Sequence, residues 1–298
     1  MNVALVGATA SGKSAIALEV ARALGDVEIV TIDSMQVYRG LDIGTAKPTP
    51  AERAEVPHHL LDLVDPEDEF SVAELQRAAF AVLDDIARRG RRALLVGGTG
   101  LYLRAVIDRL ELPGQFPDAR AEVAAEPDTD ALHARLAALD PDAAARTTTS
   151  NRRRIERALE VSIGSGRPFS SFGPGLDAYP ADVDIAQVGI DVPIEELDRR
   201  IEARVDAMLE AGLLDEARAL VGRSLSRTAA RALGYEELLD HLAGGCSLAE
   251  ARATTVQRTR RLARRQIRWF RRDPRIAWAS SHNTGAIVTS SLAARSTR

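Results

Sequence analysis

The 298-residue chain carries 45% hydrophobic and 28% charged residues, ordinary values for a globular protein, which exclude wholesale disorder and leave room for two structural units. A single cysteine, Cys246, excludes a disulfide framework and any cysteine-built zinc centre. The formal net charge of −4 argues against an evenly basic nucleic-acid binder, but the arginines are concentrated in a few segments, so the global charge does not decide the partner.

Taken in order, the chain opens on an apolar strand, residues 3–6, followed at once by Gly7-Ala8-Thr9-Ala10-Ser11-Gly12-Lys13-Ser14. These eight residues match every fixed position of G-x-x-x-x-G-K-[ST] between a strand and a helix, the context a P-loop requires. Glycines let successive N–H groups turn toward a phosphate at a helix N-terminus, where the partial positive charge favours anions. Lys13 would reach the terminal phosphates and the Ser14 hydroxyl would ligate Mg²⁺. The apolar start runs directly into this loop and does not resemble a signal peptide, and no apolar run approaches the roughly 20 residues of a membrane span. A soluble cytoplasmic monomer with no membrane partner is expected.

A helix over residues 14–24, with Ile16, Val20 and Leu24 on one face, ends at Gly25. A second strand, residues 28–32, delivers Asp33 beside the P-loop, because ligands in open parallel sheets bind at the carboxyl ends of strands. Asp33 is therefore a general-base candidate, with a turn cap as the alternative. Residues 35–48 lack periodicity and read as a long functional loop. Only two of the 39 basic residues are lysines, Lys13 and Lys47, so a chain that otherwise uses arginine keeps an ammonium at two places, which makes Lys47 a second site candidate. His58 and His59 have no matching ligand cluster and are read as structural. Ser71 and Glu74 form a capping box before an amphipathic helix carrying Val72, Leu75, Ala79, Val82, Leu83 and Ile86.

The third apolar strand, residues 93–96, ends in Gly97-Gly98-Thr99-Gly100 before a helix over residues 101–109. A hydrolytic P-loop motor would place an acidic residue here, which weakens an ATPase reading. Small residues at this strand end suit close approach of a phosphorylated ligand; a tight turn is the alternative. Four segments are expected: residues 1–111 as the first part of the core, 112–181 as an inserted helical subdomain with a loop over 164–175, 182–281 completing the core, and 282–298 as a frayed tail. The inserted helix over residues 151–163 opens with Arg152-Arg153-Arg154 and continues through Arg157, a patch suited to a phosphate backbone or a solvated face. A strand over residues 184–190 returns to the sheet. A helix started by Pro193 buries Ile194, Leu197, Ile201, Val205, Met208 and Leu209. Along residues 247–272, Arg258, Arg261, Arg265, Arg268 and Arg272 share one stripe opposite Val256, Ala263, Ile267 and Phe270.

These residues closely resemble one family, the tRNA dimethylallyltransferases, or tRNA isopentenyltransferases, over nearly the whole chain. The resemblance rests on residues 7–14, 33–38, 44–48, 57–60, 96–102, Arg154 with residues 157–160, Gly234-Tyr235, and Arg264-Arg265-Gln266-Ile267 with Trp269. It implies an α/β fold, a P-loop nucleotide-kinase-like parallel sheet with an inserted helical tRNA-binding domain. It also implies transfer of a dimethylallyl group from dimethylallyl diphosphate to the exocyclic amine of the adenosine 3′ of the tRNA anticodon. In that reaction the P-loop holds the diphosphate with Mg²⁺, Asp33 accepts the amine proton, and Thr99, Lys13 and Arg204 steady the leaving group. Contacts with the anticodon stem-loop fall by resemblance on Asp33, Ser34, Met35 and Gln36, on Thr99 and Arg120, on Arg153, Arg154 and Arg157, and on Arg231, Gly234 and Tyr235, to which the scarcity of lysine adds Lys47. A small-molecule P-loop kinase would share the loop but does not need the arginine patches or so long an insertion, and against an RNA-binding NTPase module counts the missing acidic end of the third strand.

Overall fold

The computed structural model describes residues 2–173, 175–176, 178–181 and 183–294. The chain divides into two units, residues 1–108 with 181–298, and residues 109–180. In the first, β1 (Asn2–Val6), α1 (Lys13–Leu24), β2 (Val27–Ile32), α2 (Pro50–Glu55), β3 (His58–His59), α3 (Val72–Arg88), β4 (Arg92–Gly97) and α4 (Gly100–Ile107) follow one another. The second unit holds α5 (Pro117–Ala124), α6 (Thr129–Leu139), α7 (Pro141–Ala145), α8 (Arg152–Ser165) and a 3₁₀ turn, Phe169–Phe172. The first unit resumes with β5 (Ile185–Asp191), α9 (Ile194–Glu210), α10 (Leu213–Arg218), the 3₁₀ turn Ala229–Arg231, α11 (Tyr235–Leu242), α12 (Leu248–Phe270), β6 (Ile276–Ser280) and α13 (Ser281–Ala293).

The six strands form one all-parallel sheet in the order β3-β2-β4-β1-β5-β6. Such a sheet is buried on both faces, so its strands read as continuous apolar runs. Alternate residues feed opposite cores: Ala4, Val6, Val30, Ile32 and Leu95 pack on one side, and Val3, Leu5, Ile29, Leu94 and Val96 on the other. Helices α3, α4, α10 and α11 contribute to the first core, and α1, α9 and α13 to the second. The register pairs Val6 with Gly97 and Gly97 with Ile32, so the carboxyl ends of β1, β4 and β2 lie side by side. A Cβ at Gly97 would fall 2.3 Å from the Ile32 carbonyl oxygen, which is why a glycine closes β4.

Two expectations are corrected and one strand is added. Residues 282–298 are not a frayed tail where they are described: α13 buries Thr284, Val288 and Leu292 on one face, four residues apart, a pattern that its small polar residues hide; residues 295–298 lie outside the described residues. Ile194 is exposed, since it occupies the first position of α9, ahead of the buried stripe Leu197, Ile201 and Val205. β3 pairs with β2 through His58 and His59, a strand too short to leave a periodic signal.

The second unit has its own core, Val123, Leu132, Leu136, Ile155, Ala158 and Leu159. Asp140, almost fully buried, accepts from Ala143 N at 3.0 Å and Ser170 N at 2.7 Å, tying α7 to the 3₁₀ turn. Gly164 gives way to the Phe116 ring, where a Cβ would lie 2.2 Å from its Cγ. The loop expected over residues 164–175 begins as the last turn of α8, and Pro174 within it lies outside the described residues.

Candidate functional site: a phosphate cradle at the strand ends

Three connections leave adjacent strand ends: the P-loop after β1, the residues from Asp33 after β2, and Gly98-Thr99 after β4. They line a cavity of about 1150 Å³ completed by Arg200, Arg204 and Met208 from α9 and Arg258, Arg261, Arg265 and Gln266 from α12. The loop reaches α1 through Ala10 and Gly12 at φ of 61° and 96°, the latter a conformation that favours glycine. At the start of α1 the first amides have no partner within the helix and its positive end faces the cavity residues.

Lys13 donates to the Ala8 carbonyl at 2.6 Å. Burial first, then the neighbouring Arg204 charge, lower its ammonium pKa to about 8, against the opposing pull of Asp33. Burial likewise pushes the Arg204 guanidinium down, with Asp33 opposing, and Arg204 makes no hydrogen bond to any described residue. Two cations both disfavoured by burial, the first also by the charge of the second, and with donors to spare, form a site that an anion relieves. Asp33 accepts from Met35 N at 2.8 Å and Gln36 N at 3.3 Å through the same oxygen, Oδ1. That Asx turn orients the carboxylate and leaves Oδ2 without a protein partner among the described residues. Thr99 is the N-cap of α4, but its side chain makes no capping bond, and it lines the cavity together with Ser34, Met35 and Ser14.

Several expected contact residues turn inward. Lys47 is buried and donates to Asp42 Oδ1 at 2.7 Å, to Asp62 Oδ1 and to the Tyr38 carbonyl, which uses all three ammonium protons, two within its own loop and one on Asp62 beyond β3. Its expected role as an RNA-contacting cation is therefore corrected, because no donor is left. Tyr235 is also corrected: the side chain is fully buried, its hydroxyl donates to Glu216 and accepts from Gly44 N. Burial and that carboxylate push the phenol pKa far up. Gln36 Nε2 donates to the Thr45 and Ala46 carbonyls at 2.8 and 3.1 Å, so its side chain shapes the loop while the residue still lines the cavity. Arg231 and Gly234 line it as well.

On α8, Arg152 donates to the Glu126 and Pro127 carbonyls and Arg157 to Glu160 and to the Pro113 and Gly114 carbonyls. Two of the four expected patch arginines thus hold the second unit together, which corrects Arg157 as a free guanidinium. Arg153 is exposed and Arg154 half-buried, neither with an ion pair among the described residues, and Arg120 is exposed on α5. The arginine stripe of α12 also sorts itself: Arg258 pairs with Glu236 and Glu237, whereas Arg261 and Arg265 line the cavity without an ion pair among the described residues. Off the stripe, Arg264 binds Asp198 of α9 at 2.7 Å.

No local pattern marks Glu216, which accepts from Ile43 N and Gly44 N at 3.0 and 3.3 Å. Nor does one reveal what shapes the strand end after β4. A Cβ at Gly98 would lie 2.6 Å from Gln266 Nε2 and one at Gly100 2.1 Å from the Trp269 indole. These glycines make room for α12, and they also line the cavity. His58 Nδ1 bonds the Val56 carbonyl and His59 Nε2 the Glu28 carboxylate; among the described residues no three His, Cys, Asp or Glu could together hold a metal ion. No helix among them is long and apolar enough to cross a membrane.

Comparison with known proteins adds to this geometry. The family model described as IPP transferase matches residues 36–273, and one described as isopentenyl transferase matches residues 1–63. The tRNA dimethylallyltransferase of Streptomyces avermitilis is 53% identical over 283 residues, 93% of this chain and 89% of that protein. That of Salinispora arenicola is 52% identical over 98% of this chain and 86% of its own. Among solved structures, the full-length tRNA isopentenylpyrophosphate transferase of Bacillus halodurans superposes with a TM-score of 0.71 at 39% identity, covering 98% and 95% of the two chains. A eukaryotic dimethylallyltransferase acting on tRNA gives 0.79 at 24% identity over 97% of this chain and 77% of its own, a likeness of fold.

Proposed function

The chain belongs to the IPP transferase family, that of the tRNA dimethylallyltransferases, and on that premise we propose that it transfers a dimethylallyl group from dimethylallyl diphosphate to the exocyclic amine of the tRNA adenosine 3′ of the anticodon. The observation that carries the reading is that Lys13 and Arg204, both destabilised as cations by burial and the first also by the second, line one cavity with Asp33 at the mouth of a P-loop. That arrangement suits a reaction whose negative charge grows on a departing diphosphate.

The amine nitrogen attacks the allylic carbon as its bond to the diphosphate oxygen breaks, and the electron pair leaves with the diphosphate. Lys13, Arg204, the Thr99 hydroxyl and the first amides of α1 stabilise that charge. Asp33 takes the proton from the nitrogen; support for this comes from the Asx turn that fixes its Oδ1 and leaves Oδ2 unpaired. The hard oxygen donors Ser14 and Asp33, both lining the cavity, fit Mg²⁺, which takes one or two protein oxygens and completes its shell with substrate phosphates. Ser14 would hold it, and its contribution is to neutralise diphosphate charge. Since a base inside a stacked loop cannot reach such a cavity, the adenosine enters flipped out. Arg261 and Arg265 on the cavity wall, with Arg231, Arg153, Arg154 and Arg120, serve the RNA backbone, and the protein acts as a cytoplasmic monomer.

The test incubates the protein with Mg²⁺, unmodified bulk tRNA and radiolabelled dimethylallyl diphosphate. Label is expected in tRNA, with Asp33→Ala reducing turnover at least a hundredfold while tRNA binding stays within a few-fold. ATP turnover without label in tRNA would reject the reading.

A further inference from the structure

The P-loop spends one of its amides on the protein itself. Thr9 N donates to Gln266 Oε1 at 2.8 Å, and the same carboxamide donates from Nε2 to the Gly98 carbonyl at 2.9 Å. Gln266 belongs to α12 and is separated from Thr9 by 257 positions, so this is a tertiary bond from a cavity-lining side chain. We propose that Gln266 is a specificity-determining residue that closes the strand-side limb of the P-loop, so that the cradle takes a diphosphate and rejects a triphosphate. The inference rests on the diphosphate reading given above.

Loops of this pattern ordinarily hold nucleoside triphosphates, with successive amides on successive phosphates. Thr9 is the third of the eight loop residues, on the limb leaving β1. The open amides of the first helical turn lie on the other limb, where α1 begins at Lys13. Gln266 therefore shortens the cradle from one end and leaves the helix end intact. It acts in two ways: it occupies the Thr9 donor, and it fills the space between the loop and β4. The second is measured by Gly98, where even a methyl group would meet the carboxamide at 2.6 Å.

Nor is the carboxamide free to swing away. Its two bonds use opposite ends of one planar group, an acceptor for Thr9 and a donor for Gly98, so rotation would face oxygen with oxygen and N–H with N–H. One turn along α12, Trp269 packs on Gly100 and holds the helix against the same strand end. A third phosphate would have to break both hydrogen bonds and displace a wedged group, leaving the Gly98 carbonyl facing an anion.

The test measures inorganic diphosphate and inorganic tripolyphosphate binding by isothermal titration, with Mg²⁺, for the full chain and for Gln266→Ala and Gln266→Asn, either of which removes the bridge. The ratio of the two dissociation constants within one sample does not depend on the fraction folded, so a merely structural role leaves it unmoved. The wild type is expected to prefer diphosphate at least tenfold, and the variants to lose about tenfold of that preference, chiefly by binding tripolyphosphate more tightly. Equal wild-type affinity for the two ligands, or an unchanged ratio in both variants, overturns the proposal. A wild type that binds no diphosphate at all would instead remove the leaving-group site on which it rests.

Discussion

The chain's two lysines occupy neighbouring loops and opposite circumstances. Lys13, in the P-loop, has one carbonyl partner and a repelling arginine nearby; Lys47, in the loop after β2, has two carboxylates and a carbonyl. Scarcity of lysine marks both equally, yet only the first has binding capacity left for a ligand. A buried cation with all its donors satisfied stabilises the chain around it, whereas one with donors to spare and like charge beside it stores affinity for an anion.

Substituting each lysine breaks the comparison if the two have been sorted wrongly. Lys13→Met is expected to lower kcat/KM for dimethylallyl diphosphate by about 10²–10³, or ~3–4 kcal/mol, the range found when one preorganised donor to a developing charge is lost. Its urea midpoint should match the wild type or exceed it. Lys47→Met should do the reverse, costing about 3 kcal/mol of stability in urea unfolding, the low end for breaking a buried pair because Asp42 stays half exposed. Its kcat/KM per folded molecule should change only through the loop it holds. Equal stability losses in the two variants would erase the distinction.

A smaller effect follows from pH. Lys13 titrates near 8 when folded against the ordinary 10.5, so between those values the unfolded chain binds more protons, and the Lys13 contribution to stability rises with pH across that window. The charge offered to diphosphate falls over the same window. kcat/KM for dimethylallyl diphosphate should therefore decline above about pH 8, approaching tenfold per unit, and Lys13→Arg should flatten that limb. A wild-type profile level to pH 10 would contradict the depressed lysine.

The smallest effect separates two classes of arginine on α8. Replacing Arg153 and Arg154 by alanine should weaken tRNA binding and reduce the slope of log affinity against log salt by about 2, since each phosphate contact contributes about one. Arg157→Ala should leave that slope nearly unchanged and lower the stability of the second unit, because its guanidinium is held by Glu160 and two carbonyls. Equal slopes in the two variants would return Arg153 and Arg154 to a solvated face.

Much of the site was legible because local patterns encode it. The P-loop needs its residues at fixed spacing, the strand before Asp33 is an uninterrupted apolar run, and Ser71 with Glu74 forms the capping box that starts α3. Some of what stayed hidden involved side chains whose partners lie far along the chain: Tyr235 meets Gly44 and Gln266 meets Thr9, 191 and 257 positions away, whereas Lys47 was misread although its partners lie within 15 positions. No window of sequence can show that an arginine such as Arg157 is already occupied by carbonyl groups from another segment.

By itself the sequence determined the parallel sheet, the phosphate-binding loop, the acidic residue beside it and the family to which they point, since spacing and apolar periodicity act over a few residues. Only the tertiary structure decided which charged groups remain available. That outcome depends on which donors and acceptors are brought together when separate segments pack, and a buried polar group takes whatever partner the fold supplies.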